Sequence, residues 1–224
     1  MLNEGLANLE IQSSINNMQK KTVLKTFIAL ILSAVTAYFV MEQKLYVNHA
    51  VVTVGIIALM AFSFIAHLKI KSLPPVVCYL YLVATAVLTG LVVGLVLPYY
   101  DPQTVQFAFL SAAGFFGVLT AIGFTTKKDL SKLGMLCCVG VFVLIVVEIA
   151  LWLFHFPVST MLVSAISLVL FAGLTMYDSQ RLKELPDGFD DFSENVSTFL
   201  AVSIYLDFYN IFLDILRIIK EVKE

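Results

Sequence analysis

Asp207 is a carboxylate set in an otherwise apolar stretch: residues 201–214 read AVSIYLDFYNIFLD. At roughly 100° per residue in a helix, Ser203, Asp207, Asn210, Asp214 and Arg217 share one narrow stripe, and the other faces are Phe, Leu, Ile, Val and Tyr. The apolar segment just before it has a seam of its own. There Thr160, Ser164, Ser167, Thr175 and Asp178 fall within about a third of the circumference. Two acidic seams on consecutive helices can bring Asp178 and Asp207 together. Carboxylates a few ångströms apart in a low dielectric cannot both stay charged, so such a pair keeps one proton and titrates as a unit. Protonated, it hydrogen-bonds internally and holds its helices; deprotonated, it offers hard oxygens suited to transient calcium binding.

Each acid also has a plainer reading. Asp178 can cap a helix end and pair with Arg181, three residues on. Asp207 can be a buried hydrogen-bond acceptor for a Ser or Tyr. Asp214 can reach water or pair with Arg217, and Glu148 can snorkel to an interface beside Trp152 and His155. In the pathway reading, Ser203, Asn210, Asp214 and Glu148 extend an ion route beyond the aspartate pair. Asp187, Asp190, Asp191 and Glu194 read as a solvated acidic loop, since they match no EF-hand pattern.

These residues need a scaffold that keeps them out of lipid, because a charge exposed to acyl chains costs several kcal/mol. The composition points to one. Of 224 residues, 60% are apolar and 13% charged, about half the charge expected of a soluble domain. Seven segments are long enough for a hydrocarbon core about 30 Å thick: 23–41, 50–68, 74–97, 105–125, 133–154, 158–177 and 196–219. The expected fold is therefore all-α, a polytopic membrane protein of seven transmembrane helices with the last one central. The runs are too long for barrel strands and show no period-2 alternation. Residues 1–22 form a polar amino-terminal segment, either amphipathic on the membrane surface or a loose tail. Residues 23–219 form the membrane domain, and 220–224 a short charged tail. No cleaved signal is expected, because the first apolar run is too long for one.

Placing the amino terminus in the cytoplasm puts Lys20, Lys21, Lys25, Lys69, Lys71, Lys127, Lys128, Lys132, Arg181 and Lys183 inside and leaves Lys44 outside. Arg217, Lys220 and Lys223 conflict with this if the last segment crosses, so that segment either crosses with help from its neighbours or re-enters. Gly90 and Gly94, and Gly114, Gly117 and Gly123, mark close helix contacts. Cys78, Cys137 and Cys138 read as small packing residues. No cofactor motif, resident metal set or basic nucleic-acid face is present, and a lone acidic pair gives no reaction class for an enzyme.

Residues 123–134 (GFTTKKDLSKLG), Met176-Tyr-Asp178 with Gln180, and 205–212 (YLDFYNIF) resemble the Bax-inhibitor family of transmembrane proteins, most closely its bacterial calcium-leak members. The likeness covers the fourth to seventh segments in matching order. It implies six helices around a central seventh, and a pH-sensitive calcium leak with calcium as the transported ion. In it Asp178 and Asp207 act as pH sensor and gate, and Lys127, Lys128 and Asp129 are structural. There is one departure. Relatives can carry an acid in the second helix and an arginine after it that latch the pore, but 50–68 has no carboxylate and lysines follow. No latch is carried over.

The expected function is thus a pH-gated calcium leak in a bacterial plasma membrane, whose partners are lipid, protons and calcium. Two alternatives compete. One is a proton-coupled transporter, disfavoured by the lack of inverted repeats. The other is a non-transporting regulator bound to another membrane protein.

Overall fold

The structure, a computed structural model, describes residues 2–43, 69, 72–154, 159–185 and 191–223. Among them lie six α-helices: α1 (Leu2–Glu42), α2 (Pro75–Val96), α3 (Pro102–Thr125), α4 (Ser131–Phe154), α5 (Thr160–Lys183) and α6 (Asp191–Lys223). All six are long and apolar enough to cross a membrane. The second expected span, 50–68, lies outside the described residues, so the structure supports an all-helical membrane fold without giving a seventh helix.

Local chemistry sets the helix ends. Pro74 and Pro75 start α2, with Pro75 at the first helical position, where its missing N–H costs nothing. Asp101 caps α3 by accepting from the Thr104 backbone N–H at 2.9 Å, with Pro102 following. Four boundaries move from the sequence expectation. Residues 1–22 are not separate from the first span, since α1 runs unbroken from Leu2 to Glu42. The sixth span extends past Tyr177 to Lys183, because Asp178, Ser179, Gln180 and Leu182 are buried and continue the helix. The last begins at Asp191, so Asp191 and Glu194 occupy the first turn of α6 rather than a loop, and it runs to Lys223, so 220–223 continue the helix rather than forming a separate tail. Acids there, and Lys220 and Lys223 in its last turn, both suit the helix dipole. α6 is one continuous helix of 33 residues with no re-entrant break. It is also the most enclosed: 61% of its most apolar window is buried, against 11–39% in the other five.

The chain divides into two compact units, and α6 contributes to both. The first unit comprises Met1–Tyr99 with Glu184–Tyr205. Here Gly90 lets α2 approach α1 so closely that an added Cβ would lie 2.5 Å from the Ser33 carbonyl oxygen and 2.7 Å from Thr36 Cβ. Gly94 does the same against Val40. The Tyr81 and Phe199 rings pack at 5.3 Å, and Asn195 Nδ2 donates to the Leu73 carbonyl at 2.8 Å.

The second unit comprises Tyr100–Lys183 with Leu206–Glu224. Gly123 brings α3 onto the Met176 carbonyl of α5, and Gly173 brings α5 onto Cys137 Sγ of α4. Phe208 of α6 packs edge-on against Phe109 and Phe116, at 5.8 and 5.5 Å. Gly114 and Gly117 depart from the expectation: nothing described lies within 4 Å of a Cβ at either, so they mark no close contact among the described residues. Cys78 and Cys137 are buried packing residues, whereas Cys138 is exposed. The exposed Leu, Ile, Val and Phe side chains along α1, α3 and α4 give these helices faces suited to lipid.

Candidate functional site

α5 and α6 deliver their aspartates into the second unit. Asp178 and Asp207 are each 3% exposed. Asp178 is the charged side chain that bears on Asp207. It also sits 3.6 Å from Arg181 Nη1, one turn further along α5, so the helix-end pair and the carboxylate neighbour coexist. Asp207 Oδ2 is buried and, among the described residues, accepts no hydrogen bond. Cys137 and Cys138 on α4 also feel the field of Asp207. A carboxylate enclosed this way stays charged only with a counter-charge; otherwise it holds a proton.

Asp214 is deeper still, at 2% exposure. Its Oδ1 lies 3.5 Å from Arg217 Nη1. Ser164 and Ser167 of α5 stand beside its carboxylate, and Glu148 of α4, itself exposed, adds a like charge. The Ser164 and Ser167 hydroxyls face the buried Asp214 carboxylate and are placed to donate to it. Asn210 is half-buried and donates Nδ2 to the Leu206 carbonyl at 2.8 Å. Ser203, also half-buried, belongs to the first unit. His155 and the side chain of Trp152, the interface neighbours expected for Glu148, lie outside the described residues, as do Asp187 and Asp190. Among the described residues, no three His, Cys, Asp or Glu side chains cluster to hold a resident metal.

A second charged constellation, in the first unit, was missed by the sequence reading. Lys25 Nζ donates to Glu194 Oε1 at 2.7 Å, Thr198 Oγ1 at 2.9 Å and Ser197 Oγ at 3.1 Å. The Tyr79 hydroxyl donates to the same Glu194 oxygen, and Lys21 lies 3.5 Å from the other. Lys25 also lies 5.0 Å from the centroid of the Tyr79 ring. Glu194 is therefore no solvated loop acid; it meets a buried lysine. The signal was present in the sequence: Lys25 stands two residues inside an apolar run, and an intramembrane cation needs a partner.

The 126–130 loop is held by Gln180, whose Oε1 accepts from the Leu130 N–H at 2.8 Å while Nε2 donates to the Lys128 carbonyl at 2.9 Å. Asp129 accepts from the Ser131 N–H at 2.8 Å at the start of α4, and the Ser131 bonds hold its carboxyl below the usual carboxylate range.

Comparison with known proteins bears on the whole of this arrangement. The sequence matches the family described as "Inhibitor of apoptosis-promoting Bax1" over residues 15–224. It is 36% identical over 164 residues to an uncharacterized protein of Deinococcus radiodurans, covering 72% of this chain and 71% of that one. It is 30% identical over 200 residues to the inner membrane protein YbhL of Escherichia coli, covering 85% and 86%. With its apolar helices and an inner-membrane relative, the chain is an integral membrane protein, and it belongs to the Bax inhibitor family.

Proposed function

We propose that the protein is a pH-sensitive calcium leak, gated by the protonation of Asp178 and Asp207. The observation that carries this reading is the burial of both aspartates, with Asp178 the charge that bears on Asp207. With a proton between them, the two acids can join α5 to α6 by a hydrogen bond. When that proton leaves, two like charges in a low dielectric repel, and their oxygens become hard ligands for a passing calcium ion. Calcium is the cargo, held transiently. Ser203, Asn210, Asp214 and Glu148 are the candidate path residues beyond the pair. The proposed location is a bacterial plasma membrane with the amino terminus in the cytoplasm, in keeping with the Lys and Arg distribution.

The test is calcium flux into liposomes holding the purified protein, between pH 5 and 8. Asp207→Asn and Asp178→Asn are each expected to flatten the pH profile of the wild type. Retention of that profile by both variants would remove the gating idea. Uphill calcium movement driven by a pH step would replace a leak with a proton-coupled transporter. No flux, together with a stoichiometric membrane-protein partner, would replace it with a regulator.

A further inference from the structure

The loop between α3 and α4 gathers cations at one end of the second unit. Lys127, Lys128 and Lys132 come from the loop and the first turn of α4, and Arg181 and Lys183 from the end of α5. They outnumber the acids there: Asp129, Asp178 and the Glu184 that follows Lys183 in the chain. Two of those acids are already engaged. Asp129 turns to the start of α4, where it accepts from the Ser131 N–H at 2.8 Å and feels Lys132. Asp178 is buried 3.6 Å from Arg181. Lys127 and Lys128 are exposed and, among the described residues, form no ion pair.

The backbone that carries these lysines is held in place. Gln180 clasps the Lys128 carbonyl and the Leu130 N–H. On either side of the loop, Gly123 packs against the Met176 carbonyl and Gly134 against the Tyr177 ring. A ligand that meets Lys127 and Lys128 therefore has only their side chains to order. The surroundings indicate which ligand. Val118 and Ile122 near the end of α3, and Met135 and Leu136 near the start of α4, are exposed and apolar. Such residues face acyl chains, which sets the lysines at the depth of lipid headgroups. A soluble phosphate would meet the lysines alone, whereas a phospholipid uses both the cations and the apolar flank. The cations at the far end of α3 differ, because they have partners: Lys220 lies 5.1 Å from the centroid of the Tyr100 ring, and Lys223 donates to Thr104 Oγ1 at 2.6 Å.

We propose that Lys127 and Lys128, with Lys132 beside them, bind the headgroup of an anionic phospholipid whose acyl chains lie along the exposed faces of α3 and α4. This site does not depend on gating by Asp178 and Asp207, so the two readings can fail separately.

The experiment is native mass spectrometry of the full chain in a neutral detergent, titrated with phosphatidylglycerol and, separately, with phosphatidylcholine of the same acyl chains. Phosphatidylglycerol is expected to bind more tightly. Lys127→Ala/Lys128→Ala changes two exposed side chains and should weaken it roughly fivefold for each lysine removed, leaving phosphatidylcholine unchanged. Lys127→Arg/Lys128→Arg should keep the preference. Lys220→Ala/Lys223→Ala removes the same charge at the far end of α3 and should leave phosphatidylglycerol binding within about twofold of wild type. Equal affinity of the wild type for the two lipids would overturn the proposal, as would an equal loss in the two alanine variants. Displacement of the lipid by an equal concentration of glycerol phosphate would overturn the choice of a lipid over a soluble phosphate.

Discussion

Glu194→Gln removes the charge that Lys25 meets at 2.7 Å while keeping the shape of the side chain. The Lys25 side chain is 8% exposed and that of Glu194 18%, so bulk water cannot take over the lost role. Breaking a buried ion pair from one side costs about 3–5 kcal/mol, because the remaining charge is stranded. Two features lower that figure here. Lys25 keeps Thr198 at 2.9 Å and Ser197 at 3.1 Å, and the new amide oxygen can still accept from it. Hydrogen bonds between membrane helices contribute only ~0.6 kcal/mol each on average, so these retained bonds soften the loss without cancelling it. The expected cost of Glu194→Gln is about 2 kcal/mol. Lys25→Met strands Glu194 in turn, with Lys21 at 3.5 Å and Tyr79 as its remaining partners, and should cost a similar amount. Lys25→Met with Glu194→Leu leaves no charge unpaired and should cost less than the sum of the singles by at least ~1 kcal/mol. Unfolding in mixed micelles, followed by helicity, measures all three. A Glu194→Gln protein within ~0.5 kcal/mol of wild type, together with an additive double variant, would refute the claim that this pair ties α1 to the start of α6.

Glycine contacts give a paired test in the same micelles. Gly90→Ala meets the Ser33 carbonyl oxygen and Thr36 and should destabilise by ~1–3 kcal/mol; Gly114→Ala, with nothing described within 4 Å, should instead stabilise by up to ~1 kcal/mol through helix propensity. Equal effects at the two sites would contradict the packing described. At the start of α3, hydrogen bonds from the Thr104 side chain and backbone hold the Asp101 carboxyl below the usual carboxylate range. The cap therefore contributes fully above the unfolded pKa of about 4 and fades as pH falls through the lower folded value. The melting-temperature gap between wild type and Asp101→Ala should be open at pH 7 and close in acid; a gap independent of pH would show that the cap is not ionic.

Much of the fold was legible because hydrophobic runs of membrane length admit few structures. The third to fifth spans were placed within about three residues, since Pro75, Pro102 and the polar 126–130 loop punctuate them. Asp178 and Asp207 stood out for a related reason: an acid in an apolar run is costly enough to demand an explanation. What escaped were relations between distant residues. Lys25 was counted with the cytoplasmic positive charges and Glu194 with an acidic loop, and no periodicity connects positions 169 apart. Gln180 stood out only as part of a motif, while its work is to clasp two backbone groups about 50 positions earlier. Glycine spacing also reads the same whether a face meets a helix, as at Gly90, or meets nothing described, as at Gly114.

The acids of α6 differ in one respect that separates architecture from function. Glu194 has a full set of partners in Lys25, Lys21 and Tyr79. A charge so matched resists change, since protonating it would break several bonds at once. Asp207 and Asp214 are more deeply buried than Glu194, yet neither meets a lysine, and among the described residues Asp207 Oδ2 accepts no hydrogen bond. A matched fixed acid holds helices in place; an unmatched buried one keeps an open coordination position that a proton or a cation can fill and vacate. On this physical ground, the proposed exchange is assigned to Asp207 and Asp214 rather than to the better-bonded Glu194. Substituting either aspartate should change ion binding more than stability, and substituting Glu194 should do the reverse.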